Sequence, residues 1–431
     1  MLERYPAYID SRIEWLGEIP SGWMTVPLWT LFQRVKRTGF EHEELLSVYR
    51  DHGVVIKSSR DDNNNNASED LSSYQLVEPG DLAINKMKAW QGSAAISDHR
   101  GIVSPAYFIF HGHHREHDRF LHYLMRSLPY TAAYARISKG IRPNQWDLDS
   151  QQHSRLPIVI PPGTEQLQIA DYLDAQTAKI DALIEKQEKL IEMLAERRQA
   201  VISHAVTRGL DPNAAMQASG VEWIGLIPAH WQMKRMKNLG GIKYGLGEPP
   251  EYADEGIPLI RATNVSVGRI TPEKMAFVNP GDISPQRIYW LREGDIVVVR
   301  SGALTGDSGL IGREYAGAIA GFDMVFRSSV ITLPGFIQYT LLSTYVKSAQ
   351  LDIARMRAAQ PHLNAEELGN VIIATPSVEV QREIIAHLDH ETSKIDALSD
   401  KAREMIEVLR ERRQALVSAA VTGKIDVRGL A

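Results

Sequence analysis

The sequence predicts an α+β chain: two globular modules of mixed α/β content, carried on two long helices and related by an internal repeat. Three observations lead there. First, the chain is written twice. EWLGEIPSGW at 14–23 recurs as EWIGLIPAHW at 222–231, TAKIDALIEKQ at 177–187 as TSKIDALSDKA at 392–402, and ERRQAVISHAVT at 196–207 as ERRQALVSAAVT at 411–422. The offset is 208 in the opening segment, 214 at the Gly80-Asp81 and Gly294-Asp295 turns, 216 for Phe120/Phe336 and Tyr123/Tyr339, and 215 thereafter. A period that long marks a duplicated module, not a solenoid of small repeats. Second, 164–206 and 377–422 contain neither Pro nor Gly and repeat apolar residues every seven positions. Third, the sections between these flanks, 24–160 and 232–375, share only scattered anchors, so one frame carries two different inserts.

The helices follow from their heptads. Leu173, Ile180, Gln187, Leu194 and Val201 fall seven apart, with Ile184 and Ile191 beside them; Leu388, Ile395, Ala402, Leu409 and Leu416 repeat the series, with Met405 and Ile406 adjacent. The predicted seam is therefore Leu173, Ile180, Ile184, Ile191, Leu194 and Val201 against Leu388, Ile395, Met405, Ile406, Leu409 and Leu416. Thr164 and Ser377, each after a Pro-containing stretch, are the expected N-caps, and Gly209 and Gly423 the expected stops. At 1.5 Å per residue each helix spans roughly 65 Å. Inside the inserts, SPAYFIF at 104–110 and DIVVVR at 295–300 read as strands, PGD and EGD as turns, and FLHYLMRSL and FIQYTLLSTYV as short amphipathic helices. NNNN at 63–66 reads as a polar loop tip. The resulting segments are 1–160, a first module; 161–212, a first helix; 213–375, a second module; and 376–431, a second helix.

Composition narrows the chemistry. The 431 residues include no cysteine, which excludes disulfides, Cys-ligated zinc, iron–sulfur clusters and thiol catalysis. Lys+Arg is 48 against 53 Asp+Glu, a formal charge of −5, so the chain is not polybasic, although a basic groove fits within such a balance. No signal-peptide core and no apolar run of membrane-spanning length is present, and a cytoplasmic protein is expected. There is no GxxxxGK[ST], HExxH or GxSxG motif, and GLGEPP at 245–250 puts Pro250 where a dinucleotide fingerprint needs its third glycine. HGHHREH at 111–117 has no counterpart in the second copy and reads as a solvated loop instead of a metal site. No catalytic and no metal-binding residues are assigned.

The polar residues that stand out suit nucleic acid. In the first copy they are Asn85, Lys86, Lys88, Trp90 and Gln91, then Arg136, Lys139, Arg142, Asn144 and Gln145. In the second they are Arg261, Asn264, Arg300, Ser301, Thr305, Arg355, Arg357, Gln360, His362 and Asn364. Arg and Lys serve phosphates and guanine, and Asn and Gln pair with adenine. The groups recur at matched places with different letters. The bare pattern also admits a two-module coiled-coil adaptor that binds proteins or other ligands, and, more remotely, a nuclease with an unrecognised carboxylate cluster around Asp81 and Asp295.

With these segments in view, the chain resembles the specificity subunit of type I restriction–modification systems over essentially its whole length. The carriers are DSRIEWLGEIPSGW and VEWIGLIPAHW, PGDLAINKMKAWQGS, SPAYF, the GIRPNQWDL loop, and the paired EQ…IADYLD…KIDAL…ERRQA and VQ…IIAHLD…KIDAL…ERRQA helices. The resemblance implies two target recognition domains, each reading one half of a split, asymmetric DNA target, held apart by two antiparallel coiled-coil helices about an internal pseudo-twofold axis. It implies a non-catalytic chain that binds double-stranded DNA and docks two modification (methyltransferase) subunits, with two motor–nuclease restriction subunits as further partners. No cofactor is expected on this chain; S-adenosylmethionine, ATP and Mg²⁺ belong to the partners. Residues 1–160 hold 18 Lys/Arg and 19 Asp/Glu, so the isolated chain is expected to bind DNA weakly.

Overall fold

The structure is a computed structural model. It describes the chain apart from residues 1–2, 51, 60–67, 69, 143–144, 249, 356–361 and 431, and apart from the side chains of Ile141, Arg142, Gln145, Ala354 and Arg355. The asparagine tip at 63–66 thus lies outside the described residues. Two helices dominate, Gly163–Arg208 with 46 residues and Val378–Val421 with 44. Ser377 caps the second, its hydroxyl accepting the Val380 N–H at 3.4 Å. The first begins at Gly163, one residue ahead of the expected Thr164 cap. Both stop at a glycine in the left-handed region, Gly209 at φ 74° and Gly423 at φ 70°. A Cβ on Gly423 would lie 2.3 Å from Pro20 Cδ, so this stop also needs glycine for the close approach.

The chain divides into two compact units, Met1–Glu188 with Glu404–Ala431, and Lys189–Arg403. Each contains one globular module and one end of each long helix. In the first, a four-stranded sheet runs in the order Phe32–Val35, Tyr107–Gly112, Leu82–Asn85, Ala94–Ile96, all neighbours antiparallel. Leu82, Ala83 and Ile84 are fully buried, so this central strand is covered on both faces. The helices Asp118–Arg126 and Leu128–Arg136 pack their apolar faces into the same core through Phe120, Leu121, Leu124 and Tyr134. In the second unit, a six-stranded sheet runs Gly240–Tyr244, Met324–Ser328, Ile296–Val298, Ser308–Leu310, Gly268–Ile270, Val265–Ser266. Helix Pro334–Leu342 buries Phe336 and Ile337 against it.

In each unit a small set of buried polar groups fixes the module to its helix. Gln166 is fully buried; its amide oxygen accepts the His117 N–H at 2.8 Å and its amide nitrogen donates to Pro161 O at 2.8 Å. Gln381, also fully buried, accepts the Leu333 N–H at 2.7 Å and donates to Pro376 O at 3.0 Å. Tyr123 donates to Asp174 at 2.7 Å beside Thr177, and Tyr339 donates to Asp389 at 2.6 Å beside Thr392. Burial pushes both phenols up to about 12. The two glutamines give a reason for these flanking letters to repeat: a fully buried amide left without its partners costs more than a lost apolar contact of the same size, whereas Asp174 and Asp389 stay partly or fully solvated.

The helix ends pack antiparallel within each unit. In the first, Arg413 reaches Asp181 at 2.9 Å and Arg410 lies 3.7 Å from Glu188, so one helix ascends as the other descends. In the second, Arg198 lies 3.4 Å from Asp396, and Ile202 and Val206 share a core with Ile384 and Leu388. Of the predicted seam, Leu173, Ile180, Leu194, Leu388, Ile395, Ile406 and Leu409 are buried, and Ile184, Ile191, Val201 and Leu416 are half-buried. Met405 is a correction: it is 48% exposed, and Ile406 takes the inward position. Near the helix ends the buried position moves on by one, to Ile202 and Val417. A straight helix drifts about 20° per heptad, and here the ends face a globular module instead of a single partner helix.

Candidate nucleic-acid interface

Lys86 in the first module and Arg300 in the second follow the central strands Leu82–Asn85 and Ile296–Val298, and a buried carboxylate sets up each strand. Asp81 is fully buried; it accepts the Glu78 N–H at 2.9 Å, contacts His111 Nδ1 at 2.9 Å and pairs with Arg37. Asp295, 1% exposed, accepts the Arg292 N–H at 2.8 Å and both Arg327 Nε at 2.7 Å and Nη2 at 2.6 Å. Both acids therefore close the turn ahead of the strand and are consumed by cations. Glu78, Asp81 and His111 gather their ligand atoms within 4.8 Å, but the Arg37 guanidinium already pairs with both carboxylates. The cluster is an ion-pair network.

At the far end of the strand, Lys86 and Arg300 hold the same place. The Lys86 carbonyl accepts the Leu148 N–H at 2.9 Å, and the Arg300 carbonyl accepts the Leu363 N–H at 2.8 Å. A later segment is thereby tied to each strand end. In the first unit it is the hairpin Ser138–Arg142/Gln145–Leu148, whose Trp146 ring packs on Trp90 with centroids 5.0 Å apart. In the second it is the stretch through His362, which forms a bridge with Ser301. Trp90 donates its indole N–H to Met87 O at 3.1 Å, and Asn85 Oδ1 accepts the Met87 N–H at 3.1 Å, so the turn after the strand is fixed by its own side chains.

The cations rest on aromatic rings. Arg34 lies 4.2 Å and Lys86 5.8 Å from the centroid of Phe108. Arg300 lies between Phe322 at 4.2 Å and Tyr244 at 4.7 Å, with Nη2 3.5 Å from His362 Nε2. Arg261 stacks on Tyr252 at 5.0 Å and donates to Lys274 O at 2.7 Å. Among the described residues, none of these four cations has a carboxylate within ion-pair distance, unlike Arg37, Arg119, Arg327 and Arg413. Asp323, 3% exposed, takes the Arg300 backbone N–H at 3.2 Å; burial pushes its carboxyl up, and the Arg300 N–H and charge pull it back.

The remaining sequence-derived residues fall as follows. Lys88 is exposed and Gln91 half-buried on the same turn. Arg136 lies 3.7 Å from Glu14 and Lys139 4.0 Å from Asp149, both largely exposed. Asn144, Arg357 and Gln360, and the side chains of Arg142, Gln145 and Arg355, lie outside the described residues. Three assignments are corrected. Asn264 is fully buried, its oxygen accepting the Arg261 N–H at 3.2 Å and its nitrogen donating to Thr271 O and Glu273 O, so it braces a turn. Thr305 is 1% exposed and donates to Gly302 O at 2.7 Å. Asn364 is the N-cap of helix Ala365–Asn370, accepting two backbone N–H groups at 2.9 Å. Asn and Thr are the residues that cap and brace turns, and sequence letters do not separate that use from base reading. Arg34, Phe108, Tyr244 and Phe322 escaped the sequence reading, because cross-strand neighbours bring them to the strand end.

No family model matches the chain. It is similar to the type I restriction enzyme EcoKI specificity subunit of Escherichia coli K12, 21% identical over 445 residues, covering 96% of this chain and 91% of that protein. The EcoBI specificity subunit of Escherichia coli is 24% identical over 289 residues, 64% of this chain and 60% of that one. A solved structure described as "Structural basis underlying complex assembly and conformational transition of the type I R-M system" superposes with TM-score 0.63 at 18% identity, covering 94% of this chain and 98% of its own. The chain resembles type I restriction specificity subunits in sequence along nearly its full length, and the solved structure shares its mixed α/β fold.

Proposed function

We propose that this relative of type I restriction specificity subunits is itself the sequence-specificity subunit of such a complex. In this reading it is a non-catalytic cytoplasmic scaffold on double-stranded DNA. Each module reads one half of a split target, and the frame docks two adenine-N6 methyltransferase subunits. S-adenosylmethionine, ATP and Mg²⁺ then belong to the partner subunits, including any motor–nuclease subunits that join. Among the described residues no helix is long and apolar enough to cross a membrane.

One observation carries the reading. The Gln, Tyr–Asp–Thr and Asp–Arg frame bonds occur in both units, while the modules they hold differ down to their sheets, four strands in one and six in the other. A common frame with unlike inserts suits two identical partners and two different half-sites. The frame also presents matched apolar side chains to solvent: Leu183 at 45% and Leu398 at 51%, Leu190 at 39% and Met405 at 48%, Met193 at 57% and Val408 at 52%. Exposed aliphatic residues repeated on this scale suit protein docking.

The test is methylation mapping. The chain is co-expressed with its cognate modification subunit in a methylation-free host, and N6-methyladenine is read genome-wide by single-molecule sequencing. One motif with two unlike halves and a fixed gap is expected. No new methylation from a complex shown intact by co-purification would instead favour the adaptor reading.

A further inference from the structure

We infer that Lys86, joined by Arg34, and Arg300 are matched anchors for DNA backbone phosphates, one set per module, and that base reading is done elsewhere. The inference rests on the DNA-reading function proposed above.

Lys86 and Arg300 sit 214 residues apart, the offset of the Gly80-Asp81 and Gly294-Asp295 turns that open their strands. Both follow the central strand, and both have their carbonyls bound by a later segment, Leu148 in one unit and Leu363 in the other. The surrounding letters differ: Asn85-Lys86-Met87 in one copy, Val299-Arg300-Ser301 in the other. Cationic character is what survives. Two modules that read different bases still share one feature of their ligand, the phosphate backbone, which carries no sequence information. A charge kept at a matched position therefore belongs with phosphate.

Electrostatics points the same way. Arg34 and Lys86 face one ring, Phe108, at 4.2 and 5.8 Å, so two like charges are gathered without a described carboxylate to neutralise them. That arrangement is costly when empty and favourable around an anion. A base edge, with its neutral donors and acceptors, would not neutralise it. Arg300 is held between Phe322 and Tyr244, themselves 41% and 44% exposed, which fixes its planar fork in advance and leaves it weakly hydrated. The Asn, Gln and Ser side chains of the surrounding loops do not match between the modules, as base-reading groups should not.

The experiment uses the complex of full-length chain and modification subunit, with variants Lys86→Ala, Arg34→Ala and Arg300→Ala, and Lys86→Arg as the charge-retaining control. Binding to a duplex bearing the mapped target is titrated from 50 to 200 mM salt, and the methylated motif is sequenced for each variant. Losing one phosphate contact flattens the log–log salt slope by about 0.9, so each alanine variant's affinity deficit shrinks roughly 3.5-fold across that range. The motif should stay unchanged in both halves, and Lys86→Arg should restore the slope. A relaxed base in one half-site would overturn the assignment in favour of base reading. Wild-type slopes in all three variants, with wild-type melting, would overturn it outright while leaving the proposed function intact. A wild-type complex that binds no DNA would remove both.

Discussion

Replacing Asp295 with alanine tests the claim that this carboxylate organises the strand that carries Arg300. Asp295 is 1% exposed and accepts three hydrogen bonds, two from the Arg327 guanidinium and one from the Arg292 N–H. Removing one partner of a buried ion pair costs about 3–5 kcal/mol. The Arg327 side chain is 32% exposed and regains some hydration, which places the expected loss near the lower end, about 3 kcal/mol. For a unit of roughly 200 residues, each kcal/mol moves the midpoint by about 2–4 °C, so the second unit should melt about 6–12 °C lower. Asp295→Asn keeps an acceptor for the Arg292 N–H and loses the charge, so it should cost about half as much, in line with ordinary charge-assisted bonds. The assay is thermal unfolding of the full chain followed by tryptophan fluorescence, Trp290 lying beside the pair. An alanine variant melting within 1 °C of wild type would show that the turn holds without its carboxylate.

Two further predictions concern buried groups. Trp23 donates to the buried Glu165 at 3.1 Å, whereas the 2%-exposed Trp231, its counterpart, has no acceptor for its indole N–H among the described residues, Val380 standing where the first copy has Glu165. Trp→Phe removes similar volume at both sites, so urea unfolding should show Trp23→Phe costing about 1.5–3 kcal/mol more than Trp231→Phe; equal costs would deny the bond any net value. His153 is fully buried between Phe110 and Tyr134, and burial pushes its imidazole down to about 3. The unfolded chain then takes up a proton that the folded chain refuses. Stability contributed by neutral His153 is complete above about pH 6.5 and drains as pH falls toward 3, by up to about 1.4 kcal/mol per pH unit. His153→Leu should flatten that slope in denaturation curves between pH 6 and 4, and an unaltered slope would place the titration elsewhere.

Much of the frame was legible in the letters because its restraints are periodic or repeated. Seven-residue spacing identifies the buried stripe of both helices from Leu173 and Leu388 onward, since burial of one face requires it whatever the surroundings. Gly209 and Gly423 mark the helix stops, since only glycine takes that backbone turn without cost. The duplication pairs Asp81 with Asp295, and it brings Lys86 and Arg300 separately to notice among the polar residues of the two copies; their equivalence emerges from the strand ends they share in the fold.

Tertiary structure decided what each polar residue is for. Asn264, Thr305 and Asn364 have the chemistry of base readers, yet the fold buries the first two and spends the third on a helix cap. Met405 and Ile406 are equally apolar neighbours, and only the direction of the facing surface turns one outward. Arg34 reaches Phe108 through strand pairing across 74 residues of chain, and Arg300 meets Tyr244 across 56. Local sequence sets propensity, period and repeat. Whether a side chain is a ligand, a brace or a cap depends on neighbours brought from far along the chain, and those are fixed only when the sheet closes.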